Sequence, residues 1–271
     1  MKRYDIVVFS TLIAFVLLLH GPAKAQQHKL VDAQDGSGVF GYKDTPIQPW
    51  SGFHVHDPDR PVPAKVEAGE PSRQEVVGKA PSDAIVLFDG TSLDQWQATK
   101  WKIEDSCLVA TEGPLRTKQA FGDCQLHLEF QVPVERAESV WNRGNNGVML
   151  LDSIEVQIFD SFDTKIYPDG QNAAIYAQTP PLVNASRKPG KWQTYEIIFQ
   201  APRFDEAGKL AEPARITVLH NGLLVHHYQE VFGHTPHAGV ASYDAVKSPA
   251  PLSFGAHHCP VRFRNIWIRK L

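Results

Sequence analysis

From Ala84 onward the chain breaks into short β-like runs of four to nine residues with turn signals between them. Residues 125–131 alternate strictly: Leu126, Leu128 and Phe130 face one way, and Gln125, His127, Glu129 and Gln131 the other. Similar runs cover 85–88, 147–151, 154–159, 192–200, 214–220, 223–229 and 261–269. Period-2 patterning places side chains on opposite faces of a strand. No stretch here carries a sustained 3.6-residue apolar stripe, so helices should be single turns. Asp89-Gly90 and Asn221-Gly222 are turn dipeptides, the second read as a two-residue hairpin between strands. Many short strands joined this way imply an all-β sandwich or barrel, and residues 83–271 suit one jelly-roll sandwich.

The ends read differently. Lys2 and Arg3 precede an apolar run over 6–19, and Ala23-Lys24-Ala25 fits a small-x-small cleavage site. Residues 1–25 are therefore expected to be a secretory signal peptide, and the mature chain to be periplasmic or secreted with no membrane span. Residues 26–82 are poor in apolar residues and carry Pro46, Pro49, Pro58, Pro61, Pro63, Pro71 and Pro81, which suggests an extended Pro-rich arm. With 27 Lys+Arg against 30 Asp+Glu, the net charge of −3 gives no basic surface for nucleic acid. Three cysteines, Cys107, Cys124 and Cys259, leave an odd thiol in an exported protein. A Cys107–Cys124 disulfide is one possibility, and a four-cysteine zinc site is excluded.

The densest group of polar residues lies on the strand 154–161. Glu155 and Gln157 share one face, with Ile154, Val156 and Ile158 on the other. Asp160 falls on the wrong face under strict alternation, so a bulge near Phe159 would be needed to bring it beside Glu155. Laminarinase-type β-glucanases have a similar spacing, Glu-x-Asp-x-x-Glu, but here the middle acid is Gln157 and the last Asp160. Two carboxylates on one face can serve as base and acid, whereas a solvated polar strand face is the bland alternative. His127 could reach the same groove. His257-His258 precedes the last strand, at a sheet end where sites gather. His54-x-His56 is a possible metal half-site, though surface or packing histidines are the commoner case. His226, His227, His234 and His237 look like loop or edge residues. Among the aromatics, Trp141 beside the Arg143-Gly144-Asn145 loop is the candidate for stacking on a sugar ring, and Tyr176 is a second. The chain has no GxSxG, P-loop, GxGxxG after a strand or HExxH, so serine hydrolase, nucleotide, dinucleotide and zincin readings have no support.

Taken in order, these segments resemble the bacterial 3-keto-disaccharide hydrolase domain family. The resemblance runs through Gly41-Tyr42-Lys43-Asp44-Thr45-Pro46, His54-Val55-His56-Asp57, Leu87-Phe88-Asp89-Gly90 and Arg143-Gly144-Asn145-Asn146-Gly147-Val148. It continues through Ile154-Glu155-Val156-Gln157-Ile158-Phe159-Asp160-Ser161, Gln178-Thr179-Pro180-Pro181, Gly190-Lys191-Trp192-Gln193-Thr194-Tyr195, Ala201-Pro202-Arg203-Phe204-Asp205 and Val261-Arg262-Phe263-Arg264-Asn265-Ile266-Trp267. It implies a concanavalin A-like lectin/glucanase jelly roll and cleavage of glycosides oxidised to a ketone at C3. It also implies work alongside a sugar 3-dehydrogenase. One departure stands out: the family often has an Asp-His pair before the last strand, and Ala256 takes the place of that Asp ahead of His257.

A C3 ketone acidifies the C2 proton, and the C1 substituent is β to the resulting enolate. Such a site needs a base, an enolate stabiliser and an acid. Glu155 or Asp160 is expected as base and His257 as acid. Arg143, Asn145 or a divalent metal ion is expected to stabilise the enolate. Gln157, Trp141, His127 and Tyr176 are expected to bind substrate. A non-catalytic, lectin-like carbohydrate-binding module is the alternative, because the fold serves both.

Overall fold

The strict alternation of 125–131 is realised as a central strand, and its two faces meet different fates. The computed structural model describes residues 28–63, 69–164 and 166–271; the expected signal segment 1–25 lies outside them. The chain divides into two compact units, Met1–Lys65 and Val66–Leu271.

In the first unit, β1 (Leu30–Asp32) pairs antiparallel with β2 (Phe40–Tyr42). Lys43 Nζ holds Asp57 (2.6 Å) and Asp59 (2.7 Å). His54 Nδ1 is hydrogen-bonded to the Thr45 carbonyl, and Thr45 Oγ1 donates to the Val55 carbonyl (2.7 Å). The His54-x-His56 pair thus has one imidazole engaged in turn structure.

The second unit begins with β3 (Ile85–Phe88), β4 (Lys102–Glu104), β5 (Cys107–Val109), β6 (Leu115–Phe121) and β7 (Cys124–Gln131). Next come β8 (Asn146–Leu150), β9 (Ile154–Ile158), β10 (Gln193–Gln200), β11 (Arg203–Phe204) and β12 (Leu210–Glu212). Finally come β13 (Arg215–His220), β14 (Leu223–Glu230), β15 (Ala250–Ala256) and β16 (Arg262–Lys270). Among the described residues the only helices are two 3₁₀ turns, Val140–Asn142 and Pro168–Gly170, and none is long and apolar enough to cross a membrane. One large antiparallel sheet runs β14-β13-β10-β7-β16-β5-β4, with β3 also on β16; a four-stranded sheet runs β6-β15-β8-β9. This is the expected jelly-roll sandwich.

The core fills the space between the sheets. Leu126, Leu128, Phe130, Tyr195, Ile197 and Phe199 come from the large sheet, and Val148, Leu150, Ile154, Val156, Ile158 and Phe254 from the small one, all fully or almost fully buried. Each such side chain contributes roughly 1.5–3 kcal/mol of burial. Asn221 and Gly222, both at positive φ (52° and 81°), close the β13–β14 hairpin with the expected turn.

The other face of β7 is not a wet surface. Residues 72–74 lie over it: Gln74 exchanges two hydrogen bonds with the Trp192 backbone (2.9 Å each), and Arg264 Nη2 donates to the Arg73 carbonyl (2.7 Å). Beneath this strap Glu129, 0% exposed, accepts from Arg264 Nε (2.7 Å), Asn265 Nδ2 (2.8 Å) and Ser72 Oγ. Three donors satisfy a carboxylate that would be costly to bury alone. His127 sits in the same network, bonded to Glu196 and stacked on Trp267 at 5.0 Å.

All three cysteines are free and buried. Cys107 and Cys124 occupy β5 and β7, which have β16 between them. Two strand spacings amount to about 9–10 Å, beyond the reach of a disulfide.

Candidate active site

The small sheet presents its second face outward, and the pattern of 146–158 decides what stands there. β8 and β9 are joined through a turn in which Leu151 and Asp152 both hold φ of 53°. Pairing is regular from Leu150↔Ile154 to Asn146↔Ile158. Alternation then sends Val148, Val156 and Ile158 inward and leaves Gly147, Met149, Glu155 and Gln157 on the outer face. Gly255 of β15 lies opposite Gly147. A Cβ on Gly147 would come within 2.0 Å of Glu155 Oε1, so the carboxylate occupies the space a side chain would fill. The His257 ring lies over the other glycine, with Nε2 3.9 Å from where a Gly255 Cβ would stand. Adjacent strands are about 4.8 Å apart, so the carboxylate and the imidazole stand over neighbouring strands and flank one space.

β9 is an edge strand, and its free backbone groups are taken up by two loops. Gln157 exchanges hydrogen bonds with Ala174 O and Ala173 N (2.9 and 2.8 Å), and Tyr176 N donates to Glu155 O (3.0 Å). From the other loop, Thr235 Oγ1 accepts from Glu155 N (3.0 Å). These contacts bring Tyr176, Thr235 and His237 to the rim beside Glu155. Tyr176 Oη lies 2.8 Å from His237 Nδ1 and 3.3 Å from Tyr167 Oη. Tyr167 stacks on Trp141 at 5.8 Å and 23°, and Asn145 Nδ2 donates to the Trp141 carbonyl (2.7 Å). The result is a cavity of about 680 Å³ lined by Trp141, Asn145, Glu155, Gln157, Tyr167, Tyr176, Thr235, His237 and His257. A second hollow of about 550 Å³, by Asp123, Arg203 and Lys270, has no histidine in its lining, and its Arg203 is paired with Asp123.

Burial raises Glu155 to about 7, which places its proton equilibrium at neutral pH. Burial, then the neighbouring His258, lowers His257 below the ordinary histidine value, so it is neutral at pH 7. Burial and the Tyr167 hydroxyl raise Tyr176, which keeps its proton. Gln157 Oε1 already accepts from Ile158 N (3.1 Å), so its amide has donors left for the cavity.

Six of the expected site residues converge here: Glu155, Gln157, Asn145, Trp141, Tyr176 and His257. Three lie elsewhere. Asp160 needed a bulge, but β9 runs in regular register and ends at Ile158. Its carboxylate, 1% exposed, faces Arg136 Nε at 2.7 Å. Arg143 turns its Nε to the Ala137 carbonyl (3.3 Å) and its own carbonyl accepts from Asp160 N (2.9 Å). His127 is on the large sheet beneath the strap, not in a groove, because its strand face is covered. Tyr167, Thr235 and His237 also line the cavity; their loop positions carry no periodic signal in the sequence that marks them as site residues. Among the described residues no three His, Cys, Asp or Glu side chains are grouped as a cation site. Glu155, His237 and His257 line the same cavity but do not converge as a ligand set, so this arrangement does not supply a divalent-ion stabiliser.

A β-sandwich whose outer sheet face carries an aromatic-walled pocket with a titrating carboxylate is the build of a carbohydrate-active protein. The model of the 3-keto-alpha-glucoside-1,2-lyase-like domain matches residues 83–269, and the chain belongs to that family. A crystal structure from Parabacteroides distasonis ATCC 8503, provisionally described as a glycosyl hydrolase, is 36% identical with a TM-score of 0.75. The match covers 82% of this chain and 98% of that one. Two further Parabacteroides distasonis structures with the same description share the fold. One is 21% identical (TM-score 0.52, 69% of this chain and 99% of that one), the other 17% (0.51, 70% and 94%). No curated protein matches the sequence significantly.

Proposed function

We propose that this protein is an exported enzyme that cleaves 3-keto-glycosides by removal of the C2 proton, loss of the C1 substituent and hydration. The observation that carries the reading is the single carboxylate of the pocket. Ordinary glycosidases need two, about 5–10 Å apart. Here Glu155 is the one carboxylate among the pocket-lining residues, and Asp160 is held by Arg136. An enolate route needs only one, with its proton equilibrium near the working pH, and Glu155 at about 7 meets that requirement.

Glu155 takes the proton from C2, and the C2–H electron pair moves into the ring to leave the enolate at the C3 oxygen. The enolate returns its electrons to expel the C1 oxygen, which leaves with the proton that Glu155 took from C2. Water then adds across C1 and C2. Neutral His257, over the adjacent strand, is better suited to accept a proton from that water than to act as the acid expected from the sequence. The stacked Trp141–Tyr167 pair, 53% and 40% exposed, offers a flat face to the departing group. The substrate is supplied by a sugar 3-dehydrogenase, and residues 1–25 direct the chain to the periplasm or beyond.

The test is incubation with 3-keto-trehalose or a 3-keto-glucoside beside the unoxidised sugar. The oxidised substrate is expected to be cleaved and the unoxidised one not, with kcat/KM rising as Glu155 ionises through about pH 7. Glu155→Gln should lose at least about 10²-fold. Binding of both sugars with turnover of neither would instead favour the lectin-like module.

A further inference from the structure

The enolate route leaves one place unfilled. Negative charge develops on the C3 oxygen, and without a fixed donor there the C2 proton does not leave readily. Arg143, expected to fill that place, is not among the residues that line the cavity and turns its Nε to the Ala137 carbonyl. Asn145 directs its amide to the Trp141 carbonyl, and Thr235 Oγ1 is taken up by Ser153 O (3.2 Å) and Glu155 N; of the remaining donors, the Gln157 amide and the Tyr176 hydroxyl, Tyr176 is the one held by two further side chains of the cavity.

We infer that the Tyr176 hydroxyl is the donor to the enolate oxygen, oriented for that task by His237 and Tyr167; this rests on the cleavage reading given above. The position of Tyr176 is set by backbone contacts to the same residue that carries the base, since Tyr176 N bonds Glu155 O. The loop that holds it is bracketed by Ala173 and Ala177, both at positive φ (68° and 56°), a conformation that L-residues rarely adopt. Strain of this kind persists where the surroundings enforce it. A phenol has one proton and two lone pairs. In the empty pocket the Tyr176 proton lies toward Tyr167 Oη, which raises Tyr176; with His237 Nδ1–H donating to Tyr176 Oη, the two hydroxyls exchange roles when substrate enters, Tyr167 donating and the Tyr176 proton turning to the C3 oxygen. The ring of His237 also stacks on that of Tyr176, 18° from parallel, which fixes the phenol from the side. In the step, Glu155 gains the C2 proton, the C3 oxygen gains the electron pair, and Tyr176 shares its proton with that oxygen without losing it. Tyr176 is then a catalytic residue and His237 a positioning residue.

The experiment isolates enolisation from cleavage. A 3-keto-1-deoxyglucose analogue has no leaving group, so its C2 proton can only exchange with ²H₂O, and NMR reads that rate. Tyr176→Phe keeps the ring and its stacking, and is expected to slow exchange by about 10²-fold with the analogue's Kd unchanged. His237→Ala should slow exchange less, and His237→Asn, which restores a donor, should recover part of the loss; a merely structural role would show no such rescue. If Tyr176→Phe does not fold, Tyr167→Phe serves, with a smaller slowing expected and an unchanged rate contradicting the inference. A wild-type protein that cleaves and exchanges, beside Tyr176→Phe exchanging at the same rate, overturns the inference alone. A wild-type protein that does neither overturns the cleavage reading and the inference together.

Discussion

At the scale of single residues, the pocket depends on what is missing from Gly147. Its neighbour across β9 is Gln157, yet it is the Glu155 carboxylate that lies where a Gly147 Cβ would be, 2.0 Å from Oε1. Gly147→Ala should therefore displace the carboxylate while leaving the inward-facing Val148 and Leu150 in place. The expected outcome is a fall in kcat/KM of about 10-fold or more, since misplacing a reacting group by an ångström is costly, with a Tm within a few degrees of wild type. An unchanged kcat/KM would show that Glu155 needs no such cradle. This much was legible in the sequence: period 2 put Glu155 and Gln157 on the outer face, and the structure agrees. Asp160 was not, because whether a strand bulges or ends depends on what its last residues pair with. Here Asp160 N goes to Arg143 O and its side chain to Arg136, two partners outside the strand.

At the scale of elements, alternation names the two faces of a strand but not what covers them. The face of β7 holding His127 and Glu129 reads as polar and open, yet residues 72–74 close it. The segment carries too few apolar residues to signal packing, and it packs through hydrogen bonds instead. The closure has a pH signature. Burial opposes charge on His127, but hydrogen bonds to Glu129 and Glu196 outweigh it and raise the group to about 9. Its ordinary value lies near 6.5, so its contribution to stability is fully present below that and is lost as pH rises through about 9. His127→Gln should be less stable than wild type at pH 6, and the difference should shrink toward pH 10 in paired urea denaturations. A difference independent of pH would mean that His127 is uncharged in the native network. The loops that bring Tyr167, Tyr176 and His237 to the edge of β9 escaped sequence reasoning for a related reason. They join positions far apart in the chain through backbone bonds that leave no periodic trace.

At the scale of the whole molecule, the small sheet carries Glu155 and Gln157 on its outer face, and the loops beside it bring Trp141, Tyr167, Tyr176 and His237 to the same cavity. The all-β architecture followed from the repeat of short alternating runs, and the free thiols follow from the strand order, which sets Cys107 and Cys124 two strands apart. In the route proposed above, C2 rather than C1 is the first centre to react, and the single carboxylate of the pocket supports that reading. That route has a direct isotopic consequence. When a 3-keto-glucoside is turned over in ²H₂O and the released 3-keto-sugar is read by NMR at early times against an enzyme-free blank, the account predicts deuterium at C2 in step with cleavage. Prompt cleavage with ordinary hydrogen retained at C2 would contradict it and place the first step at C1.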